Sequence, residues 1–320
     1  MNKIASYLEG VKTVGIAGHV NPDGDCVGST MGMYLYLQEQ YPQIRTDLYL
    51  ESIRPDFMFL KHIEEHKETC PADVVYDLFI TIDVSTMDRI GVAGAAFANA
   101  KKTLCIDHHV SNLGFAMENH ILPNASSASE VVFDMLEEEK VTKEAAEALY
   151  LGIVHDSGVF QYSSTSSHTM EIAGKLMDKG IDFTRIVEET FYQKTYAQQQ
   201  ILGRTLVESI RLLDGACIVG VLSKDLMDLY GVTKQDLDGI VSQLRLTKGV
   251  EVAIFLYEIG MQEYKVSLRS KSYVDVNAVA KQFGGGGHVR AAGCTMNGRP
   301  YDVVNSLTFY IEKMLKENND

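Results

Sequence analysis

The sequence predicts an α/β protein of two units, the first a doubly wound, mainly parallel sheet and the smaller second one a mixed sheet with helices. Three observations lead there. Compact apolar runs at Thr13–Ala17, Leu78–Ile82 and residues 103–106 are what parallel strands covered on both faces require. Helical stretches alternate with them, as in a doubly wound sheet. A chain of 320 residues, 46% of them hydrophobic, fits two cores better than one.

Taken in order, Thr13–Ala17 reads as a strand followed by a turn-rich loop, and residues 26–40 as a helix with Met31, Tyr34, Leu35 and Leu37 among its apolar positions. Residues 46–50 are the next strand, before those at 78–82 and 103–106. Helices are expected over 128–138, over 142–154 with Thr142 as N-cap, and over 168–178 before Gly180. Residues 183–204 turn polar and glutamine-rich and predict a connecting helix, which sets the expected division at 1–184, a linker at 185–205, and 206–320. Beyond it, strands are expected over 207–212, 216–222, 252–258 and 263–268, with Asp214-Gly215 as a hairpin turn between the first two. Helices follow over 234–244, 276–282 and 301–316.

No apolar run approaches the ~20 residues of a membrane span, and the N-terminal segment lacks an apolar signal core, so a cytoplasmic protein with no membrane partner is expected. The 5 cysteines lie far apart with no C-x-x-C pair, which argues against a disulfide framework and a cysteine zinc site. A formal charge of -14 disfavours broad binding of long polyanions, so an anionic substrate should be short. Residues 265–290 run against that trend, with Lys265, Arg269, Lys271, Lys281 and Arg290 against the single acid Asp275.

Acids and histidines cluster where predicted elements end: His19, Asp23 and Asp25 in GHVNPDGD, Asp83 in FITIDVS, Asp107, His108 and His109 in LCIDHH, and Asp156 in GIVHDSG. Each has a plain reading. Asn21-Pro22 and Asp23-Gly24 are ordinary turn pairs, Asp25 could cap a helix starting at Cys26, and strand-end aspartates often only form turns. The joint set is harder to assign to turns, because open parallel sheets bind ligands beyond the carboxyl ends of their strands. Carboxylate oxygens and imidazole nitrogens suit Mn(II) or Mg(II), and one carboxylate can bridge two ions. In the second unit, four glycines at 284–287 would let backbone N–H groups approach an anion, with His288 next to them. Arg269 offers a planar fork for a phosphate. Asp88-Arg89 reads first as a surface ion pair, although Arg89 could also reach a phosphate.

These blocks, with SLRS at 267–270 and GGGGHVRAAG at 284–293, make the chain resemble the DHH/DHHA1 phosphoesterase family over nearly its whole length, and within it the nanoRNase and pAp phosphatase branch. The resemblance implies two Mn(II) ions in the N-terminal domain, with Mg(II) or Co(II) as substitutes, and a C-terminal domain that clamps substrate across a cleft. It implies that His19 and Asp23 bind one metal, that Asp25, His108 and Asp156 bind the other, and that Asp83 bridges them. Asp107 would orient a ligand histidine, and His109 would face the substrate phosphate or protonate the leaving oxygen. Arg269, Gly285, Gly286, Gly287, His288 and Arg89 would hold substrate. Ser157 stands where the family pattern has threonine, which keeps the hydroxyl.

The implied reaction is metal-assisted hydrolysis of short oligoribonucleotides of two to five nucleotides and of 3'-phosphoadenosine 5'-phosphate, with no long-strand complex. Related enzymes are often homodimers. A phosphodiesterase for cyclic di-AMP or pApA would use the same metals and is the alternative. An inorganic pyrophosphatase would share the N-terminal blocks but is expected to lack the glycine-histidine block. A non-catalytic nucleotide sensor would be expected to have lost ligand positions that are all filled here.

Overall fold

The computed structural model describes residues 3–71 and 73–317. The chain folds as two compact units, Met1–Gln193 and Lys194–Asp320.

The first unit begins with α1 (Lys3–Tyr7) and is built on β1 (Thr13–Ala17), β2 (Arg45–Tyr49), β3 (Leu78–Ile82), β4 (Thr103–Asp107) and β5 (Glu118–Ile121). The strand order is β2-β1-β3-β4-β5 and every pair is parallel. Strands buried on both faces must be apolar throughout, and all five residues of β3 and of β4 are buried. One face is covered by α2 (Gly24–Gln40), α4 (Ala128–Met135) and α5 (Lys143–Asp156), whose side chains share a core with Ile16, Ile80 and Leu104. The other carries a smaller cluster of Tyr49, Tyr76, Phe79 and Phe97, the last from α3 (Gly94–Asn99). Next come α6 (Ser167–Asp178), capped by Ser166, and α7 (Phe183–Val187).

Two local differences from the sequence reading have clear causes. The first long helix starts at Gly24 because its N-cap is Asp23, whose carboxylate accepts the N–H groups of Asp25 and Cys26, both at 3.1 Å. Asp25 is therefore not the cap. Strand β5 was not foreseen, since Glu118-Asn119-His120-Ile121 is a half-exposed edge strand with no apolar run.

The second unit holds α8 (Tyr196–Glu208), β6 (Ile210–Leu212), β7 (Cys217–Leu222), α9 (Lys224–Tyr230), α10 (Ile240–Arg245), β8 (Val252–Gly260), β9 (Glu263–Ser270), α11 (Val276–Lys281), β10 (Gly286–His288), β11 (Ala291–Asn297) and α12 (Pro300–Glu317). Its sheet runs β10-β11-β9-β8-β7-β6 and is mixed, with β7 and β8 parallel and the other neighbours antiparallel. One face packs on α11 and α12, the other on α8, α9 and α10. The Asp214-Gly215 turn joins β6 to β7 as expected, but Val207 and Glu208 complete α8, so β6 keeps only three residues. The stretch 183–204 is not one helix: α7 runs into a π turn at Glu188–Tyr192, and α8 starts afresh with a Thr195–Gln198 capping box. The helix expected over 234–244 is broken at Gly239, whose φ of 84° is left-handed. No helix among the described residues is long and apolar enough to cross a membrane.

Candidate metal centre

Strand order in the first unit reverses between β1 and β3, and open α/β sheets bind ligands beyond the carboxyl ends of their strands at such a point. His19 lies two residues past β1, Asp83 directly past β3, Asp107 closes β4, and His108 and His109 follow it. Asp25 sits in the first turn of α2 and Asp156 is the last residue of α5. Asp83 takes a left-handed φ of 60°, which aspartate tolerates better than most residues, and its N–H donates to Ile106 O at 3.0 Å.

These seven side chains and Asp23, the cap of α2, converge, and Asp83 is the centre. Its Oδ2 lies 3.6 Å from His19 Nε2, which is itself 3.8 Å from Asp23 Oδ2. Its Oδ1 lies 3.6 Å from His108 Nε2, which is 3.8 Å from Asp25 Oδ2 and 3.2 Å from Asp156 Oδ2. Most of these separations are too long for hydrogen bonds. Two donors about 2.1 Å from one ion lie roughly 3.0 Å apart at a right angle and further apart at wider angles, so the spacing suits donors around a shared cation. Asp25, His108 and Asp156 form one such group; His19 and Asp83 form another with the buried thiol of Cys26.

The imidazoles are oriented for the same task. Nδ1 of His19 lies 2.9 Å from Val20 O and that of His108 lies 3.3 Å from Ala125 O. A carbonyl oxygen only accepts, so Nδ1 is the donor in each ring, and in the neutral form the lone pair is on Nε2, the atom that faces the carboxylates. Asp107 Oδ1 accepts from the His108 backbone N–H and from His109 Nδ1, both at 2.8 Å, so the imidazole ring it orients is that of His109, which lies outside the expected ligand set. Asn112 donates to Asp107 Oδ2 at 2.6 Å and to Val84 O at 3.0 Å, tying the carboxylate to the end of β3. The sequence reading missed Asn112, although its place five residues after Asp107 was visible.

Five carboxylates in so small a volume have electrostatic consequences. Burial, followed by repulsion from Asp25, Asp23, Asp156 and Asp107, pushes the Asp83 carboxyl well up. Burial and the Asp25 charge push Asp156 up to about 7. Burial raises Asp25 as well. Burial works against the charged form of His108, yet Asp25 and Asp156 raise it above its ordinary value. Burial also works to raise Asp107, but hydrogen bonds from His109 and Asn112 hold it below the usual carboxylate range. Asp83 Oδ1 is buried and has no hydrogen-bond partner among the described residues. A buried acceptor without a donor is costly, and a cation would relieve both this and the crowding of like charges. The donor set of carboxylate oxygens and imidazole nitrogens fits divalent metal ions of the Mn(II) and Mg(II) type.

In the second unit, Arg269 on β9 pairs across the sheet with Ala291 on β11, which pairs with His288 on β10. Paired residues project from the same face, so the guanidinium and imidazole flank a small alanine in one row. Of the four glycines, Gly286 and Gly287 lie on β10 and Gly284 and Gly285 precede it. A Cβ on Gly285 would lie 2.2 Å from Gly293 O, and one on Gly287 would lie 2.4 Å from Ala291 O, so close backbone approach to β11 explains both residues without an anion. A Cβ on Gly286 would meet nothing closer than Asn277 Oδ1 at 3.8 Å, an ordinary contact, so no backbone approach requires glycine there. Glu251, another residue the sequence reading missed, accepts from the N–H groups of Ser272, Tyr273 and Val274 and from Ser272 Oγ, and so pins the segment after Arg269. Arg89 lies in a 3-10 turn, Met87–Ala93, and its carbonyl accepts from Val20 N–H at 2.9 Å. Among the described residues no ion pair joins it to Asp88, which differs from the surface pair expected from the sequence.

Comparison with known proteins agrees with this architecture. The sequence pattern of the DHH family, N-terminal domain, matches residues 13–153, and that of the DHHA1 domain matches residues 218–317. The bifunctional oligoribonuclease and PAP phosphatase NrnA of Thermus thermophilus is 27% identical over 307 residues, covering 94% of this chain and 90% of its own length. The protein of the same name from Bacillus subtilis is 26% identical over 312 residues, with 96% of each chain covered. A crystal structure of an exopolyphosphatase-related protein from Bacteroides fragilis superposes with a TM-score of 0.87 at 25% identity, covering 98% of this chain and 96% of that one. The chain is thus a member of the DHH/DHHA1 family, with a DHH domain followed by a DHHA1 domain.

Proposed function

We propose that this protein is a cytoplasmic, Mn(II)-dependent phosphoesterase that hydrolyses short oligoribonucleotides and 3'-phosphoadenosine 5'-phosphate. The observation that carries the reading is the division of labour at Asp83, whose Oδ2 faces His19 and, beyond it, Asp23, while its Oδ1 faces His108 and, beyond it, Asp25 and Asp156. That layout supports one bridging carboxylate between two cations. The substrate classes rest on the names carried by relatives aligned over 90% or more of this chain.

Divalent ions, when bound, would supply Lewis acidity to the phosphoryl oxygens and acidify a water. His19 and Asp23 would hold one ion, Asp25, His108 and Asp156 the other, and Asp83 would contribute to both. Asp107 Oδ1 accepts a hydrogen bond from His109 Nδ1 at 2.8 Å, which fixes the ring so that Nε2 would face the substrate phosphate or the leaving oxygen. Arg269, His288 and the amide of Gly286 bind the anionic end of the substrate, and Arg269 does so as a charge-assisted fork.

Rates on pAp, pApA, cyclic di-AMP and mixed five-mers, each with Mn(II), Mg(II), Co(II) or a chelator, test the proposal. Phosphate release from pAp and shortening of the five-mers with Mn(II) are expected. Turnover confined to cyclic di-AMP or pApA would replace the substrate assignment, and no turnover with any metal would make the protein a nucleotide sensor.

A further inference from the structure

Asp25 is held by a part of the chain that neither its motif nor the other motifs contain. Its side chain is 1% exposed. Oδ1 accepts the Ser129 N–H at 3.0 Å and the Ser129 hydroxyl at 2.7 Å, and Oδ2 accepts the Ala128 N–H at 2.6 Å. Ala128 and Ser129 open α4, a helix already capped by Ser127, whose Oγ accepts the Glu130 N–H at 3.1 Å. The two amides are therefore not needed by the helix's own cap, and they go to a carboxylate more than 100 residues away.

An ionised carboxylate offers about four lone-pair positions. Oδ1 spends both of its pair on Ser129 and Oδ2 spends one on Ala128. The one that remains is on Oδ2, the oxygen 3.8 Å from His108 Nε2. We propose that Ser129 is a positioning residue that saturates Oδ1 and so compels Asp25 to bind its cation through Oδ2 alone. The inference rests on the reading of Asp25 as a metal ligand given above. Gly152 makes the arrangement sterically possible. A Cβ there would stand 1.9 Å from Ser129 Oγ and 2.6 Å from Asp25 Oδ1, and Gly152 lies on α5 four residues before Asp156. The same close approach of α2, α4 and α5 thus brings the Asp25 clamp and Asp156 to one cation.

The test is Mn(II) titration of the full chain, with free Mn(II) read by EPR, on the unchanged protein, Ser129→Ala and Ser127→Ala. Ser129→Ala deletes one atom and introduces no clash. It frees a lone pair on Oδ1 and removes the orienting bond, so one of two Mn(II) equivalents should weaken by about 10- to 100-fold, the usual effect of losing a bond that orients a metal ligand, while the other is unchanged. Ser127→Ala removes the cap of the same helix without touching Asp25, and should lower the melting temperature while leaving both equivalents in place. Ser129→Ala binding both equivalents with unaltered affinity would overturn the inference, as would an equal loss in Ser127→Ala. Failure of the unchanged protein to bind Mn(II) would instead sink the metal reading on which the inference stands.

Discussion

Asp83→Asn is the substitution that tests the electrostatics of the site most sharply. In the metal-free protein Asp83 is 2% exposed, its Oδ1 lacks a hydrogen-bond partner, and it faces four other carboxyls that raise its proton affinity. If the folded protein answers by keeping Asp83 protonated at pH 7, it does so against an unfolded-state pKa near 3.9, at ~1.36 kcal/mol per unit, so the penalty reaches at most about 4 kcal/mol. If it answers by tolerating an unsatisfied acceptor, the penalty is about 1 kcal/mol at the low end. Asparagine has the same shape, carries no charge and tolerates the left-handed φ of 60°, whereas alanine there would add about 1–2 kcal/mol of backbone strain. The metal-free Asp83→Asn protein should therefore be more stable than the unchanged one by about 1–4 kcal/mol, at roughly 2–4 °C in melting temperature per kcal/mol for a unit of this size. Turnover should vanish, and so should the rise in melting temperature on adding Mn(II). Calorimetry in chelator and in Mn(II) measures all of this except turnover. A variant that melts below the unchanged protein in chelator, or that Mn(II) still stabilises, would refute the reasoning.

Two further outcomes are expected. Because burial and Asp25 raise the Asp156 carboxyl from 3.8 to about 7, the folded metal-free protein binds more protons than the unfolded chain across that interval, and its stability falls as pH rises through it. Cations need the deprotonated form, so the gain in melting temperature from Mn(II) should grow as pH rises through about 7; a gain independent of pH would contradict this. Arg269→Ala removes charge-assisted bonds of about 1.5–3 kcal/mol and should raise KM about 10- to 100-fold with kcat and Mn(II) stoichiometry unchanged. Loss of metal in that variant would contradict the phosphate-binding role.

The parts of this architecture that are legible in the sequence share a physical cause. A strand buried on both faces must be an apolar run, so Leu78–Ile82 stopping at Asp83, and the run from Thr103 stopping at Asp107, announce both the strand and the place where polar chemistry begins. Two strands of the second sheet, β10 and β11, are hidden in the sequence because β10 and the start of β11 are mostly glycine and alanine, which suit close backbone approach and carry no strand preference. Helix starts were blurred where two aspartates competed for one cap: Asp23 takes the N–H groups of α2, which leaves Asp25 to reach α4. Ser129, Asn112 and Glu251 could not be assigned roles from local pattern, since what each holds depends on packing. Ser129 meets its carboxylate 104 positions away, and Glu251 meets a segment some 20 residues further on.

The central claim is that the DHH domain holds two cations that share Asp83. The most direct measurement is a crystal structure grown with Mn(II), with anomalous scattering used to locate the ions. The account predicts two peaks about 3.5–4 Å apart on either side of the Asp83 carboxylate, one beside His19 and Asp23, the other beside Asp25, His108 and Asp156. A single peak, or peaks that leave Asp83 without contact to either ion, would contradict it.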